Sequence, residues 1–175
     1  MKTKVTSLLA TAALSLSMIS GANAASFGEC VTTSRAVFDG SIVDAAIATP
    51  ALSTLVDLVV AADLADALAT TEGLTVFAPT NDAFAALPSE LVDVVVGDVD
   101  LLTAVLTYHV VAGNADPRKY SGSIATSRKT LQGDSVYLGR SGGEARVNGA
   151  AVNCQAVKTD NGTVWVIDSV LLPAL

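Results

Sequence analysis

The spacing of apolar residues changes character once along this chain, near Ser121, and that change narrows the folds open to it. Before it, apolar residues recur at three- and four-residue steps. Leu52, Leu55, Val56, Val59, Val60 and Leu64 fall along one face of a helix predicted over residues 52–68, opened by Pro50. Ser53, Asp57, Asp63 and Asp66 take its wet side. A shorter helix is predicted over 41–48. After Ser121 the pattern is short strands broken by turn residues. Gly133-Asp134 and Ser141-Gly142-Gly143 separate apolar runs, and Asn148-Gly149 and Asn161-Gly162 are the strongest hairpin signals. Helices first and antiparallel strands later, without strand–helix–strand alternation, predict an α+β fold.

Between these halves lies a run whose local chemistry is explicit. Leu74 to Pro79 reads as a short apolar strand stopped by proline. Thr80, Asn81 and Asp82 follow at once. Each has a side-chain oxygen that can accept a backbone N–H left unpaired at a helix start, so the three are read as securing the strand-to-helix turn. The helix 83–87 ends at Pro88. Ser89 is expected to cap the next, which Gly97 closes. Asp98 or Asp100 caps a third, with Leu101, Leu102, Val105, Leu106 and His109 on its apolar side and Tyr108 one step round. Asp98-x-Asp100 also suggests calcium, but the glycine and closing glutamate of a calcium loop are missing, and capping is the better reading.

The first 24 residues carry a different message. Lys2 and Lys4 precede an uncharged apolar stretch of about 15 residues, shorter than the roughly 20 a membrane span needs. Ala22-Asn23-Ala24 then offers a small-residue cleavage site. This three-part pattern predicts a secretory signal over 1–24, in preference to a retained anchor or a buried helix. Cleavage would leave 151 of the 175 residues, enough for one domain, with no second span. The product is expected to be secreted, extracellular or periplasmic. Without Lys2 and Lys4 it carries 8 basic and 17 acidic residues, which argues against nucleic acid as a partner. In an oxidising compartment Cys30 and Cys154 are expected to form one disulfide; free thiols, a metal pair or a reactive cysteine are the alternatives.

Three segments then match a known pattern. The run from Thr75 to Phe84, the run from Leu106 to Val111 and the run from Gly162 to Leu171 resemble, in order, the first signature box, the central Tyr-His motif and the second box of fasciclin domains. The resemblance covers residues 27–173 and is nearest to small, exported, single-domain bacterial members. It implies a wedge: a sandwich of about seven strands flanked by helices. It also implies adhesion or cell-surface contact without catalysis or cofactor. The adhesion segment of animal members corresponds to Leu106, Tyr108, His109, Val110 and Val111.

The residues also allow plainer roles. His109, the only histidine, suits a hydrogen-bonded core position; a pH-sensitive contact is the alternative, and a metal ligand lacks a second histidine. Trp165 reads as packing, with sugar stacking as the alternative. Asp168 and Ser169 end a strand and turn it. Asn161-Gly162-Thr163 matches a glycosylation sequon that a hairpin also explains. Arg118-Lys119 and Arg128-Lys129 read as solvated loop charges or a small contact for an anionic glycan. The functional expectation is a monomeric module that binds a cell-surface or matrix protein or glycan. The alternatives are a structural envelope protein or lipid carrier, and, least supported, an enzyme. No Gly-x-Ser-x-Gly elbow surrounds a serine.

Overall fold

A computed structural model describes residues 35–120, 125–153 and 156–173. The signal segment 1–24, Cys30 and Cys154 lie outside the described residues. The order is β1 (Ala36–Val37), α1 (Ile42–Ile47), a 3-10 turn (Pro50–Leu52), α2 (Ser53–Ala61), α3 (Ala65–Thr70) and β2 (Leu74–Pro79). Next come α4 (Asn81–Ala85), α5 (Ser89–Gly97), α6 (Val99–Tyr108), β3 (Val110–Ala112) and a 3-10 turn (Pro117–Lys119). The last strands are β4 (Thr126–Lys129), β5 (Ser135–Ser141), β6 (Glu144–Val147), β7 (Ala150–Ala151), β8 (Val157–Lys158) and β9 (Gly162–Ile167).

Local chemistry sets many of these bounds. Ser41 and Asp44 form a reciprocal cap on α1, each side chain taking the other's backbone N–H. Thr80 caps α4 and Asp98 caps α6, the latter accepting from the N–H groups of both Asp100 and Leu101. The single helix predicted over 52–68 is two. Asp63 turns into the left-handed region at φ 56° and separates α2 from α3. Asp tolerates that conformation because its short polar side chain bonds locally. Val60, expected on the inner face, is 61% exposed.

Nine strands in the described residues form two sheets, against about seven expected. Three of the nine are only two residues long. The second sheet, β4-β5-β6-β7, is antiparallel throughout, as the turn signals predict. The first, β1-β8-β9-β2-β3, is mixed: β2 runs parallel to β9, and β1 parallel to β8. The antiparallel expectation therefore fails at the centre of the fold. A strand buried on both faces reads as a near-continuous apolar run, and all six residues of β2 are buried, with Thr75 the one polar member.

Alternation along β2 and β9 then separates two cores. Val76, Ala78 and Val164 face the helices, in a cluster with Leu55, Leu102 and Leu106. Phe77, Trp165 and Ile167 face the second sheet and pack on Val136, Leu138, Ala145 and Val147. The molecule is three layers deep: helices, mixed sheet, antiparallel sheet.

Gly162 has no room for a side chain. A Cβ there would collide with the Leu74 carbonyl oxygen and stand 2.6 Å from Ile42 Cδ1. The first obstacle is backbone of the paired strand and cannot swing aside. Gly162→Ala is expected to cost about 3 kcal/mol, the upper part of the overpacking range, read as a lower urea midpoint. An unchanged midpoint would show that the strands separate freely.

Candidate functional site

The Tyr-His segment sits where α6 runs into β3, between the two cores. His109 is 2% exposed. Its Nε2 accepts the Leu171 N–H at 2.9 Å, and its Nδ1 lies 2.8 Å from the Val105 carbonyl oxygen. A backbone N–H can only donate, so Nε2 must be the bare nitrogen and Nδ1–H the donor to Val105. The His109 carbonyl accepts from Phe77 N–H at 2.9 Å. One residue thus ties α6, β2 and the C-terminal segment together. Burial drives its pKa down to about 4, against a smaller upward effect of the bond to Val105.

Tyr108 is 5% exposed. Its hydroxyl donates to Ser135 O at 3.2 Å and accepts from Asn148 Nδ2 at 2.8 Å. Leu106, Val110 and Val111 are 4%, 2% and 1% exposed. All five residues of the expected adhesion segment therefore lie inside. Two narrow apolar slots flank His109, of about 40 Å³ beneath α1 and α2 and about 20 Å³ beneath α5.

The capping trio divides its labour. Thr80 caps its own helix. Asn81 instead reaches across to the start of α2: Oδ1 accepts the Thr54 N–H at 3.0 Å, and Nδ2 donates to Pro50 O and Ser53 Oγ, each at 3.0 Å. Asp82 is exposed in the first turn of α4. At the end of β9, Asp168 Oδ1 accepts the Ala151 N–H at 2.9 Å and the Ser169 hydroxyl at 3.0 Å, clamping β7 to β9.

The sequence suggested only a turn at Asn161, and the structure makes it a hub. The residue is 8% exposed. The two N–H bonds of its Nδ2 serve the carbonyls of Leu68, Ala69 and Thr71 at 2.7, 3.1 and 3.0 Å, one of them shared between two carbonyls, and close the end of α3. Its Oδ1 accepts the Ile42 N–H at 2.9 Å, opening α1. Both ends of its amide are in use within the fold. The hairpin between β8 and β9 does form, but Gly162 serves there by its close approach.

In each basic pair the lysine, Lys119 or Lys129, is exposed as expected, but the arginine departs from the expectation of a solvated charge. Arg118 Nε donates to Asp116 Oδ1 at 3.0 Å, and its guanidinium stacks 5.0 Å from the centre of the Trp165 ring. Arg35 reaches the same carboxylate at 2.6 Å. Burial alone would raise the Asp116 pKa, but the bonds from Arg118 and Arg35 hold it below its ordinary value. Arg128 bonds the Tyr120 hydroxyl at 2.7 Å and stacks 5.5 Å from its ring. Trp165 is wholly buried, as packing requires.

On the outside, an open groove of about 690 Å³ lies on the second sheet. Tyr137, Gly139, Arg140, Ser141 and Arg146 line it, together with the Tyr108–Asn148 pair. Among the described residues no cluster of three His, Cys, Asp or Glu stands ready to hold a metal, and no helix is long and apolar enough to cross a membrane.

The Fasciclin domain family pattern matches residues 50–173. The chain is 41% identical over 138 residues to Protein sll1483 of Synechocystis, covering 77% of this chain and 74% of that one. It is 48% identical over 99 residues to Immunogenic protein MPT70 of Mycobacterium tuberculosis, covering 57% and 49%. Cell surface glycolipoprotein MPT83 of the same species is 43% identical over 99 residues, covering 57% and 43%. The chain thus spans about half the length of its mycobacterial relatives. A FAS1 domain pair from the insect cell adhesion molecule Fasciclin I has the same fold, with a TM-score of 0.54 at 20% identity over 69% of this chain and 45% of that one.

Proposed function

The chain belongs to the fasciclin-domain family, and on that premise we propose that it is an exported module that works at the cell surface or outside the cell by binding a protein or glycan. The observation that carries this reading is the commitment of its signature polar groups. His109 has both ring nitrogens bonded to backbone, so it has no free lone pair to act as a general base. Asn161 and Asp168 are spent on the fold in the same way. Activity is left to the outer surface. The surface and immunogenic names of the mycobacterial relatives support export, and the insect neighbour's name supports adhesion.

The five residues of the Tyr-His segment contribute, on this reading, by holding neighbouring surface in place. Tyr108 does so most directly, since its hydroxyl anchors β5 and the turn after β6 beneath the groove. The apolar slots beside His109, of about 40 and 20 Å³, are far smaller than the about 300 Å³ or more of typical ligand pockets, which favours this reading over a lipid carrier.

Binding of the purified mature, oxidised domain to envelope and extracellular fractions of its own organism tests the proposal. Saturable capture by one of these fractions is expected. Absence of saturable capture, or co-purification of a stoichiometric lipid, would overturn it.

A further inference from the structure

Charge is divided between the two halves of the chain as sharply as secondary structure is. Residues 36–117 contain 12 Asp and Glu and no Lys or Arg, whereas residues 118–173 contain 7 Lys and Arg against 4 Asp and Glu. The fold turns this division into geometry, because the helices cover one face of the mixed sheet and the antiparallel sheet covers the other. At physiological salt, charges separated by more than about 8 Å are largely screened from each other. A ligand on the outer face of the antiparallel sheet therefore meets the local positive charge more than the acidic helices.

The register of that sheet places three side chains in line. Val136 and Leu138 point into the core, so Tyr137 points out, and it is 55% exposed. Lys129 pairs with Ser135, and Arg146 pairs with Gly139, so each lies one diagonal step, about 7 Å, from Tyr137 on the same face. The result is a cation–aromatic–cation row across β4, β5 and β6. Gly139 puts no side chain between the ring and Arg146. The guanidinium is held in place by Gly149 O at 2.6 Å and Glu144 Oε2 at 2.8 Å. Arg140 lines the same groove.

From this juxtaposition we propose that the outer face of the antiparallel sheet is a binding site for an acidic polysaccharide. The proposal rests on the binding-module reading above and names its ligand class. A flat exposed phenol ring suits the apolar face of a sugar ring. Cations on both sides suit acidic groups repeated along a chain, and Arg pairs well with planar carboxylates. An open groove admits a polymer that continues past both ends.

The test is equilibrium binding of the full mature chain to polygalacturonate, dextran sulfate, polyglutamate and neutral dextran, at low and high salt. Binding to one or both acidic polysaccharides, weakened by salt, is expected, with neutral dextran inactive and polyglutamate much weaker. Tyr137→Ala and Lys129→Gln, both at exposed positions, should each weaken binding about tenfold with unchanged melting temperature. Polyglutamate binding as tight as that of the polysaccharides, or full affinity in Tyr137→Ala, would overturn the proposal in favour of an acidic protein or a second copy's helical face. Saturable capture by cell fractions without affinity for either acidic polysaccharide would overturn this proposal and leave the binding-module reading standing.

Discussion

Asn161→Ala is expected to destabilise the domain by about 4 kcal/mol. The change leaves the Ile42 N–H and the carbonyls of Leu68, Ala69 and Thr71 without their partner in a site that is 8% exposed. Each buried group left unpaired costs about 1–3 kcal/mol, and total stability is only about 5–15 kcal/mol. Asn161→Asp keeps the shape but replaces donors with a carboxylate facing three carbonyl oxygens, and it should cost at least as much. Urea denaturation followed by circular dichroism reads both. A loss below about 1 kcal/mol for Asn161→Ala would show that water or backbone movement replaces the amide.

His109 should make the domain acid-sensitive in a definite window. The folded pKa is about 4, below the ordinary value of 6.5, so the unfolded chain holds the extra proton between those values. The stabilising contribution is full above pH 6.5 and is lost as pH falls toward 4. Two and a half pKa units correspond to about 3 kcal/mol. His109→Gln removes the titrating group. It should be less stable than the parent at pH 7, because Leu171 N–H and Val105 O lose well-placed partners, and it should lack this part of the pH slope. Asp116 does not confuse the window: its pKa lies below 3.8, so its contribution is lost only at lower pH. Parent and variant with equal slopes between pH 6.5 and 4 would refute a buried neutral imidazole.

The sequence announced what short-range chemistry decides. The strand Leu74–Pro79 has the expected ends, because an apolar run meets a proline and then a capping threonine. Asp98 and Asn148-Gly149 do what their types do best, a helix cap and a turn with φ of 48° and 89°, and the helix expected from Ser41 begins one residue later with Ser41 as its cap. The caps of α1 and α6 need no tertiary partner. His109, at the C-cap of α6, also met the expectation of a hydrogen-bonded core residue, although only Val105 is a local partner and the Leu171 N–H comes from 62 residues away.

Long-range choices were hidden for physical reasons. Which strand lies beside β2 depends on burial of both its faces, and nothing within β2 distinguishes a parallel neighbour from an antiparallel one. Asn81 looked like a cap for its own helix because the helix it serves lies 27 residues back in sequence. The break at Asp63 carries no glycine or proline to mark it. Arg118 resembled a loop charge until Trp165 came beneath it. The outer groove was partly legible: the absence of Lys and Arg between Arg35 and Arg118 stands in the sequence, but only strand register brings Lys129, Tyr137 and Arg146 into one row.

The most direct measurement is the ionisation and tautomer of the single imidazole, by nitrogen-detected NMR of the mature domain from pH 8 to pH 4. If the signature motif is internal framework and recognition belongs to the outer surface, His109 stays the neutral Nδ1–H form down to about pH 5 and begins to titrate only near 4. Its signals should also be unmoved when a bound partner saturates the domain. Titration near 6.5, or a shift of the ring signals on partner binding, would place the imidazole at a contact surface and contradict that division.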